Sequence, residues 1–207
     1  MKKIQFTIDG MEVSAKEGET VLETALRHGI YIPHLCYHPD LKPSGVCRLC
    51  MIEIDGRGMM ISCKAPVEQG IAVKTSSPGI DEVRRVTTEL LLSDHHSDCL
   101  ACHKDSRCEL QKIAAFVGID RGRLNRLRMS AGRFTVDDSN PFFVLDPNKC
   151  VLCGICVRTC DEIQGVNAID FTFRGFDTKI GAFGNTPLVE SRCESCGECV
   201  VRCPVGA

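Results

Sequence analysis

Apolar and polar residues alternate at the start of the chain, where polar neighbours separate Ile4, Phe6 and Ile8. A hydrophobic period of two predicts a half-buried strand. The pair Asp9–Gly10 is a signal for a two-residue hairpin turn, so residues 11–15 are predicted to return as the partner strand. By the same criteria, residues 51–62 predict a second hairpin and residues 70–77 a short closing strand.

Segments with the hydrophobic period of a helix lie between these strands and after them. Thr20 is a predicted N-cap and Glu23 completes a capping box, so a helix begins there and ends at Gly29. A second amphipathic helix is predicted from about residue 80 to His95, and a third from residue 108 to about Gly118. The apolar stripe predicted for the second helix consists of Ile80, Val83, Val86, Leu90 and Leu91.

Together these elements predict an α+β chain of three small domains. We expect them at residues 1–78, 79–118 and 142–207, with a linker at 119–141. That linker is rich in arginine, and it is interpreted either as a solvated connection or as a basic strap that lies on a partner. Aromatic residues make up only 5% of the 207 positions and Trp is missing, so a large conventional core is not expected. The net charge of −2 offers no basic face for nucleic acid.

The 15 cysteines change this picture. The N-terminus has no apolar core of a secretory signal, and no run approaches the 18 apolar residues of a membrane span. We therefore expect a cytoplasmic protein, whose thiols are kept reduced rather than paired in disulfides. With disulfides excluded, metal binding is the explanation that remains for so many cysteines.

The C-terminal cysteines form an exact internal repeat. Four cysteines spaced by three, three and four residues recur 43 positions later. This is the spacing of ferredoxins with two [4Fe–4S] clusters, in which the fourth cysteine of each run ligates the other cluster. One predicted ligand set is therefore Cys150, Cys153, Cys156 and Cys203. The other is Cys193, Cys196, Cys199 and Cys160. Zinc, the alternative, prefers two separated pairs of cysteines.

An N-terminal group consists of Cys36, Cys47, Cys50 and Cys63. Its compact centre, "CRLC", resembles the plant-type [2Fe–2S] pattern with a longer first interval. Zinc remains an alternative for this spacing alone, but the predicted two-hairpin domain around it favours [2Fe–2S].

A middle group, Cys99, Cys102 and Cys108, supplies only three thiolates. A [4Fe–4S] cluster needs a fourth ligand, and His95 at the predicted helix end is the candidate, with His96 and His103 as rivals. Replacing a thiolate by neutral imidazole should raise the reduction potential. We find no phosphate-binding loop, no zinc-protease motif and no spare cysteine nucleophile, so we expect no catalytic centre in the chain.

Three motifs carry a family resemblance: "YIPHLCYHPDLKPSGVCRLCMIEIDG", "DHHSDCLACHKDSRCELQ" and the two ferredoxin runs. In this order they resemble the N-terminal iron–sulfur region shared by the large iron–sulfur subunit of complex I, [FeFe]-hydrogenases and NAD-linked formate dehydrogenases. The resemblance implies a β-grasp [2Fe–2S] domain, a small helical His/Cys3 [4Fe–4S] domain and a 2×[4Fe–4S] ferredoxin domain. It also implies the ligand sets given above, with one [2Fe–2S] and three [4Fe–4S] clusters.

The chain ends at Ala207, where catalytic members of that family continue. We expect either a separate electron-relay subunit or the N-terminal part of a longer enzyme; an iron–sulfur redox sensor is a third hypothesis. The resemblance implies three partners: an NAD(P)H-binding flavoprotein, a thioredoxin-like [2Fe–2S] subunit, and a hydrogenase or formate dehydrogenase catalytic subunit. Ferredoxin is a further candidate in an electron-bifurcating complex.

Overall fold

The computed structural model describes residues 3–95, 98–128 and 132–207, which fall into two compact units. The first comprises the described residues up to Glu89 together with Phe116–Ile119, and the second comprises those of Leu90–Ala115 and Asp120–Ala207. Within the described ranges, no helix has both the length and the apolar character needed to cross a membrane. The boundaries of the three domains and the linker stay predictions.

A mixed five-stranded sheet forms the first unit. Its strands are β1 Lys3–Ile8, β2 Met11–Lys16, β3 Met51–Ile54, β4 Gly58–Ile61 and β5 Ala72–Lys74. They lie in the order β2-β1-β5-β3-β4, with β1 and β5 parallel and the other neighbours antiparallel. Both predicted hairpins and the closing strand are confirmed. The chain is mixed α and β, as expected.

The first hairpin turn is made by Asp9 and Gly10, whose φ angles are 50° and 80°. Positive φ at both central residues is what a type I′ turn requires, and its twist matches that of the strands. The Asp9 carboxylate also accepts hydrogen bonds from the Thr75 amide at 2.8 Å and hydroxyl at 2.6 Å. The turn is thereby tied to the end of β5.

Helix α1, Val21–Arg27, lies over the core of this sheet. The predicted capping box is confirmed: the Thr20 hydroxyl accepts from the Glu23 amide at 3.3 Å, and the Glu23 carboxylate accepts from the Thr20 amide at 2.7 Å. Gly29 follows the helix with φ 73°. The buried core between the helix and the sheet contains Phe6, Ile8, Val13, Val21, Leu22, Ala25, Ile52, Ile54 and Val73.

Helices α2, Pro78–Asp94, and α3, Glu109–Val117, are confirmed, but the predicted buried stripe of α2 is partly wrong. Ile80 is buried, yet Leu90 is 60% exposed. Arg84 and Thr88, at helical intervals of four from Ile80, are buried, and so are Glu89 and Ser93. The polar stripe is accommodated because Arg84 bonds to backbone carbonyls and the Thr88 hydroxyl donates to the Arg84 carbonyl at 2.7 Å.

A further helix, α4, spans Arg121–Leu127 inside the segment predicted as a linker. It begins after Asp120, whose carboxylate accepts from the amides of Gly122 at 2.7 Å and Arg123 at 3.3 Å. This N-cap was present in the sequence, but the arginine-rich stretch that follows has no apolar stripe to accompany it.

The second unit repeats one backbone path. Helix α5, Ile155–Arg158, and helix α6, Glu198–Arg202, each follow a glycine with positive φ, 69° at Gly154 and 76° at Gly197. Leu152 and Ser195, also 43 positions apart, have φ of 51° and 56°. The sequence repeat is therefore a structural repeat.

An antiparallel ribbon, β6 Ile169–Thr172 and β7 Lys179–Ala182, lies between the two copies along the chain. Single helical turns complete the unit at Pro147–Lys149, Thr159–Ile163, Gly175–Asp177, Phe183–Asn185 and Leu188–Glu190.

Candidate iron–sulfur cluster sites

The four N-terminal cysteines come together at one edge of the sheet core. Cys36 lies in the loop after α1, Cys50 directly precedes β3, and Cys63 follows β4. These three are buried, with exposures of 1%, 1% and 0%. Ser62 donates to the Cys50 carbonyl from its amide at 2.9 Å and its hydroxyl at 2.8 Å, which fixes the two strand ends beside each other.

Hydrogen bonds between sulfur atoms pair these cysteines. The thiol of Cys47 donates to Cys36 and lowers the pKa of Cys36 to about 4, and the amides of Val46 and Cys47 lower it further. The thiol of Cys63 likewise lowers the pKa of Cys50 to about 7. The pKa values of the donors Cys47 and Cys63 are raised, chiefly by the same bonds. All four groups interact electrostatically, so the site gathers the four sulfurs in one place.

Glycine is required in the loop that leads to Cys47. Gly45 has φ 74°, and a Cβ atom there would lie 2.7 Å from Cδ1 of Ile61. The loop therefore approaches β4 as closely as only glycine permits.

The middle cysteines also lie together. Burial raises the pKa of Cys108, amides of Gln111 and Leu110 lower it, and the sulfurs of Cys102 and Cys99 raise it again. Cys108 directly precedes α3, so its sulfur accepts from the first turn of that helix as a capping side chain does.

His95 follows the last residue of α2, and its Nδ1 atom is buried. His103 lines the cavity of the C-terminal cysteines, and His96 lies outside the described residues. The role of His95 as fourth ligand stays a prediction.

The C-terminal tail packs directly on this middle group. A Cβ atom at Gly206 would lie closer than 3.0 Å to Sγ of Cys102. The Glu109 amide at the start of α3 donates to the Pro204 carbonyl at 3.0 Å, and the Asp146 amide donates to the Ala207 carbonyl at 2.7 Å. The sequence does not predict this contact, because no local signal links Gly206 to a residue about 100 positions earlier.

The eight C-terminal cysteines line one cavity of about 110 Å³. The sulfurs that raise the pKa of Cys156 most by their charge are those of Cys153, Cys150 and Cys203. The pKa of Cys199 is raised in the same way by the sulfurs of Cys196, Cys193 and Cys160. The fourth cysteine of each copy thus lies with the first three of the other. The sulfurs have the same crossed grouping as the predicted ligand sets; ligation itself stays a prediction.

Burial and backbone amides define the electrostatics of this cavity. Burial raises the pKa of Cys150 and of Cys199 to about 11, and that of Cys156 well above the ordinary value. The Leu152 amide donates a hydrogen bond to the sulfur of Cys150 at 3.3 Å, and the Ala168 amide donates to the sulfur of Cys160 at 3.2 Å. Buried thiolates need compensating cations, which bound iron would supply.

The predicted donor sets suit iron–sulfur clusters, because three of the four sets consist of cysteine sulfurs alone. Within the described ranges, no group of three or more His, Cys, Asp or Glu side chains is arranged for a single metal ion.

Three family descriptions match consecutive parts of the chain. Residues 1–78 match "2Fe-2S iron-sulfur cluster binding domain". Residues 84–123 match "NADH-ubiquinone oxidoreductase-G iron-sulfur binding region". Residues 149–207 match "4Fe-4S dicluster domain".

Similar curated proteins are much longer than this chain. NADP-reducing hydrogenase subunit HndD of Solidesulfovibrio fructosivorans is 36% identical over 100% of this chain and 36% of its own length. The alpha subunit of NADPH-Fe(3+) oxidoreductase of Geobacter sulfurreducens is 36% identical over 98% of this chain and 24% of its own. The mitochondrial NADH-ubiquinone oxidoreductase 78 kDa subunit of Neurospora crassa is 35% identical over 99% of this chain and 27% of its own length. The chain therefore spans about a quarter to a third of these relatives.

A solved relative has nearly the same length. A chain in the crystal structure of NAD+-reducing [NiFe]-hydrogenase in the H2-reduced state matches with a TM-score of 0.86 at 34% identity, over 99% of this chain and 86% of that chain. The order of three iron–sulfur regions defines a protein that binds several iron–sulfur clusters. The chain belongs to the family of iron–sulfur subunits and domains shared by complex I and NAD(P)-linked hydrogenases, which confirms the resemblance drawn from the sequence.

Proposed function

We propose that this chain relays electrons between an NAD(P)H-linked flavoprotein and a hydrogenase or formate dehydrogenase catalytic subunit. The observation that carries the proposal is the crossed grouping of the eight C-terminal cysteines around one cavity. Two clusters held there would be bound by cysteines that line the same cavity. This arrangement suits transfer of electrons from one cluster to the other.

The proposed cofactors are one [2Fe–2S] and three [4Fe–4S] clusters. The [2Fe–2S] ligands are Cys36, Cys47, Cys50 and Cys63. The first [4Fe–4S] ligands are His95, Cys99, Cys102 and Cys108. The remaining two sets are Cys150, Cys153, Cys156 with Cys203, and Cys193, Cys196, Cys199 with Cys160.

Each cluster would supply a one-electron redox step with little movement of its atoms. The chain's own contribution is to hold the ligands, exclude water and donate amide hydrogen bonds to sulfur. The amides of Leu152 and Ala168 are two such donors. Bonds of this kind stabilise negative charge on the sulfur and thereby tune the potential.

The hydrogenase relatives favour a hydrogenase as the partner at one end, with the flavoprotein and a thioredoxin-like [2Fe–2S] subunit at the other. Ferredoxin is a further proposed partner. A relay region within a longer catalytic chain is the second candidate, supported by the greater length of the curated relatives. The solved hydrogenase chain, of which this chain covers 86%, supports the link to an NAD-linked hydrogenase.

Anaerobic affinity isolation from native cells, with mass spectrometry of the bound proteins, tests the partner assignment. We expect a flavoprotein and a hydrogenase or formate dehydrogenase subunit. Recovery of one longer polypeptide would make the chain a domain of that enzyme, and recovery with no oxidoreductase would contradict the relay.

In the isolated complex, Cys153→Ala should remove one [4Fe–4S] cluster and stop electron throughput from NAD(P)H, while dye-linked catalysis by the partner subunit continues. Full throughput in this variant would contradict the relay. The catalytic subunit's own dye-linked activity is the internal control, since it does not use the clusters of this chain.

A further inference from the structure

Arg84 is a cation buried in the first unit beside the N-terminal cysteines. It lies on the inner face of α2 and is 2% exposed. Its Nε donates to the Leu49 carbonyl at 3.1 Å, its Nη2 to the Met51 carbonyl at 2.7 Å and its Nη1 to the Thr75 carbonyl at 2.7 Å. All three acceptors are neutral.

No carboxylate among the described residues pairs closely with this guanidinium. In its ion pair with Asp81, a carboxylate oxygen of Asp81 lies 3.8 Å from Nη1 of Arg84, and the Asp81 side chain is 55% exposed. By contrast, the neighbouring Arg85 pairs with Glu82 at 2.6 Å and Glu89 at 3.1 Å. Arg84 is therefore a buried charge with weak compensation from protein carboxylates.

Burying a cation in this way is costly unless negative charge lies nearby. Burial lowers the pKa of Arg84, and Asp81, then Cys50, then Asp9 and Tyr31 counter that effect. An arginine stays protonated in proteins, so the charge itself remains. A cluster held by four thiolates carries net negative charge in both redox states, and it is the compensating anion that the protein part of the site lacks.

The fork of Arg84 also holds the peptide on both sides of one predicted ligand. The Leu49 and Met51 carbonyls flank Cys50, so Cys50 cannot move without disturbing two bonds from the same rigid group. The third bond, to Thr75, anchors the guanidinium to the end of β5.

We propose that Arg84 is a positioning residue of the [2Fe–2S] site, which fixes Cys50 through its carbonyl bonds and raises the reduction potential through its buried charge. The inference rests on the proposed ligation by Cys36, Cys47, Cys50 and Cys63. Reduction adds one negative charge to the cluster, and a nearby cation stabilises the reduced state more than the oxidised state. Removing the cation lowers the midpoint potential.

The test is a redox titration followed by electron paramagnetic resonance, on the full chain loaded anaerobically with iron and sulfide. Arg84→Gln removes the charge, Arg84→Lys keeps the charge but lacks the planar fork, and Arg85→Gln is the matched control. We expect Arg84→Gln to shift the [2Fe–2S] midpoint to a lower potential, while the [4Fe–4S] midpoints stay unchanged. Arg84→Lys should keep the wild-type midpoint but lose [2Fe–2S] iron to a chelator several-fold faster, and Arg85→Gln should match the wild type in both measurements.

Equal [2Fe–2S] midpoints in Arg84→Gln and the wild type would overturn the electrostatic role. If Arg84→Gln does not retain the cluster, Arg84→Lys decides: faster iron release supports the positioning role, and wild-type release overturns it. A wild-type chain without a [2Fe–2S] signal would overturn the proposed ligation and this inference with it. An unchanged midpoint in Arg84→Gln would leave that ligation intact.

Discussion

Gly206→Ala should disturb the middle cluster selectively. The added Cβ would lie closer than 3.0 Å to Sγ of Cys102, and within 3.6 Å of Cβ of Lys104 and 3.7 Å of Cε1 of His103. Nonbonded atoms prefer separations of about 3.5–4.0 Å, so the tail or the sulfur must move by at least about 0.5 Å. A sulfur bound to iron is held in place, so we expect the tail to move.

The expected cost follows from what holds the tail. Overpacking of this kind costs about 1–3 kcal/mol, and it strains the hydrogen bonds from the Glu109 amide to Pro204 and from the Asp146 amide to Ala207. Cys203, a proposed ligand, directly precedes that strained segment. The perturbation should therefore affect the Cys102 cluster first and the Cys203 cluster second.

The assay compares iron content, the electron paramagnetic resonance signal of each reduced cluster and the thermal midpoint of the loaded chain. Gly181→Ala is the control, since a Cβ there would meet Thr172 at 3.5 Å and Asn185 at 3.9 Å, both ordinary contact distances. We expect Gly206→Ala to change the middle-cluster signal and lower the thermal midpoint, with the [2Fe–2S] signal unchanged. A Gly206→Ala chain with the control's signals and stability would refute the packing of the tail on Cys102.

Three further predictions follow from the sites. Cys203→Ser should abolish the same [4Fe–4S] signal as Cys153→Ser, and Cys160→Ser the same signal as Cys196→Ser; separate signals for either pair would refute the crossed ligation. His95→Cys should retain the middle cluster at a lower midpoint potential, because thiolate adds negative charge, and His103→Ala should retain it unchanged; loss of that cluster only in His103→Ala would refute the assignment. Thr20→Ala should lower the free energy of unfolding by about 1 kcal/mol, and adding Glu23→Ala should cost less than the sum of the single changes; simple additivity in chemical denaturation would contradict the capping box.

Local patterns predicted the elements of the first unit well. The alternation of Ile4, Phe6 and Ile8 and the capping pair Thr20–Glu23 each depend on neighbours within a few residues, and the structure has both. The buried face of α2 was not predictable in the same way. Arg84 reads as a solvent-facing residue, and its burial depends on carbonyls that lie 33 and 35 positions earlier in the chain.

The cysteine groups were readable from the sequence because their spacing reflects the shape of the cluster rather than the rest of the fold. The crossed pairing of Cys160 and Cys203 follows from the repeat, and the structure brings the same sulfurs together. The contact of Gly206 with Cys102 has no such signal, since it arises from packing of segments distant in sequence. The fourth ligand of the middle cluster stays a prediction at His95.

Stoichiometric reduction of the loaded chain tests the central claim most directly. The chain would be titrated anaerobically with a calibrated low-potential reductant, with iron content and the signal of each cluster measured at every step. A four-cluster relay predicts about 14 iron atoms and about four electrons taken up per chain, divided among one [2Fe–2S] and three [4Fe–4S] signals. Uptake of two electrons or fewer by a fully loaded chain, or zinc in place of iron at any of the cysteine groups, would contradict it.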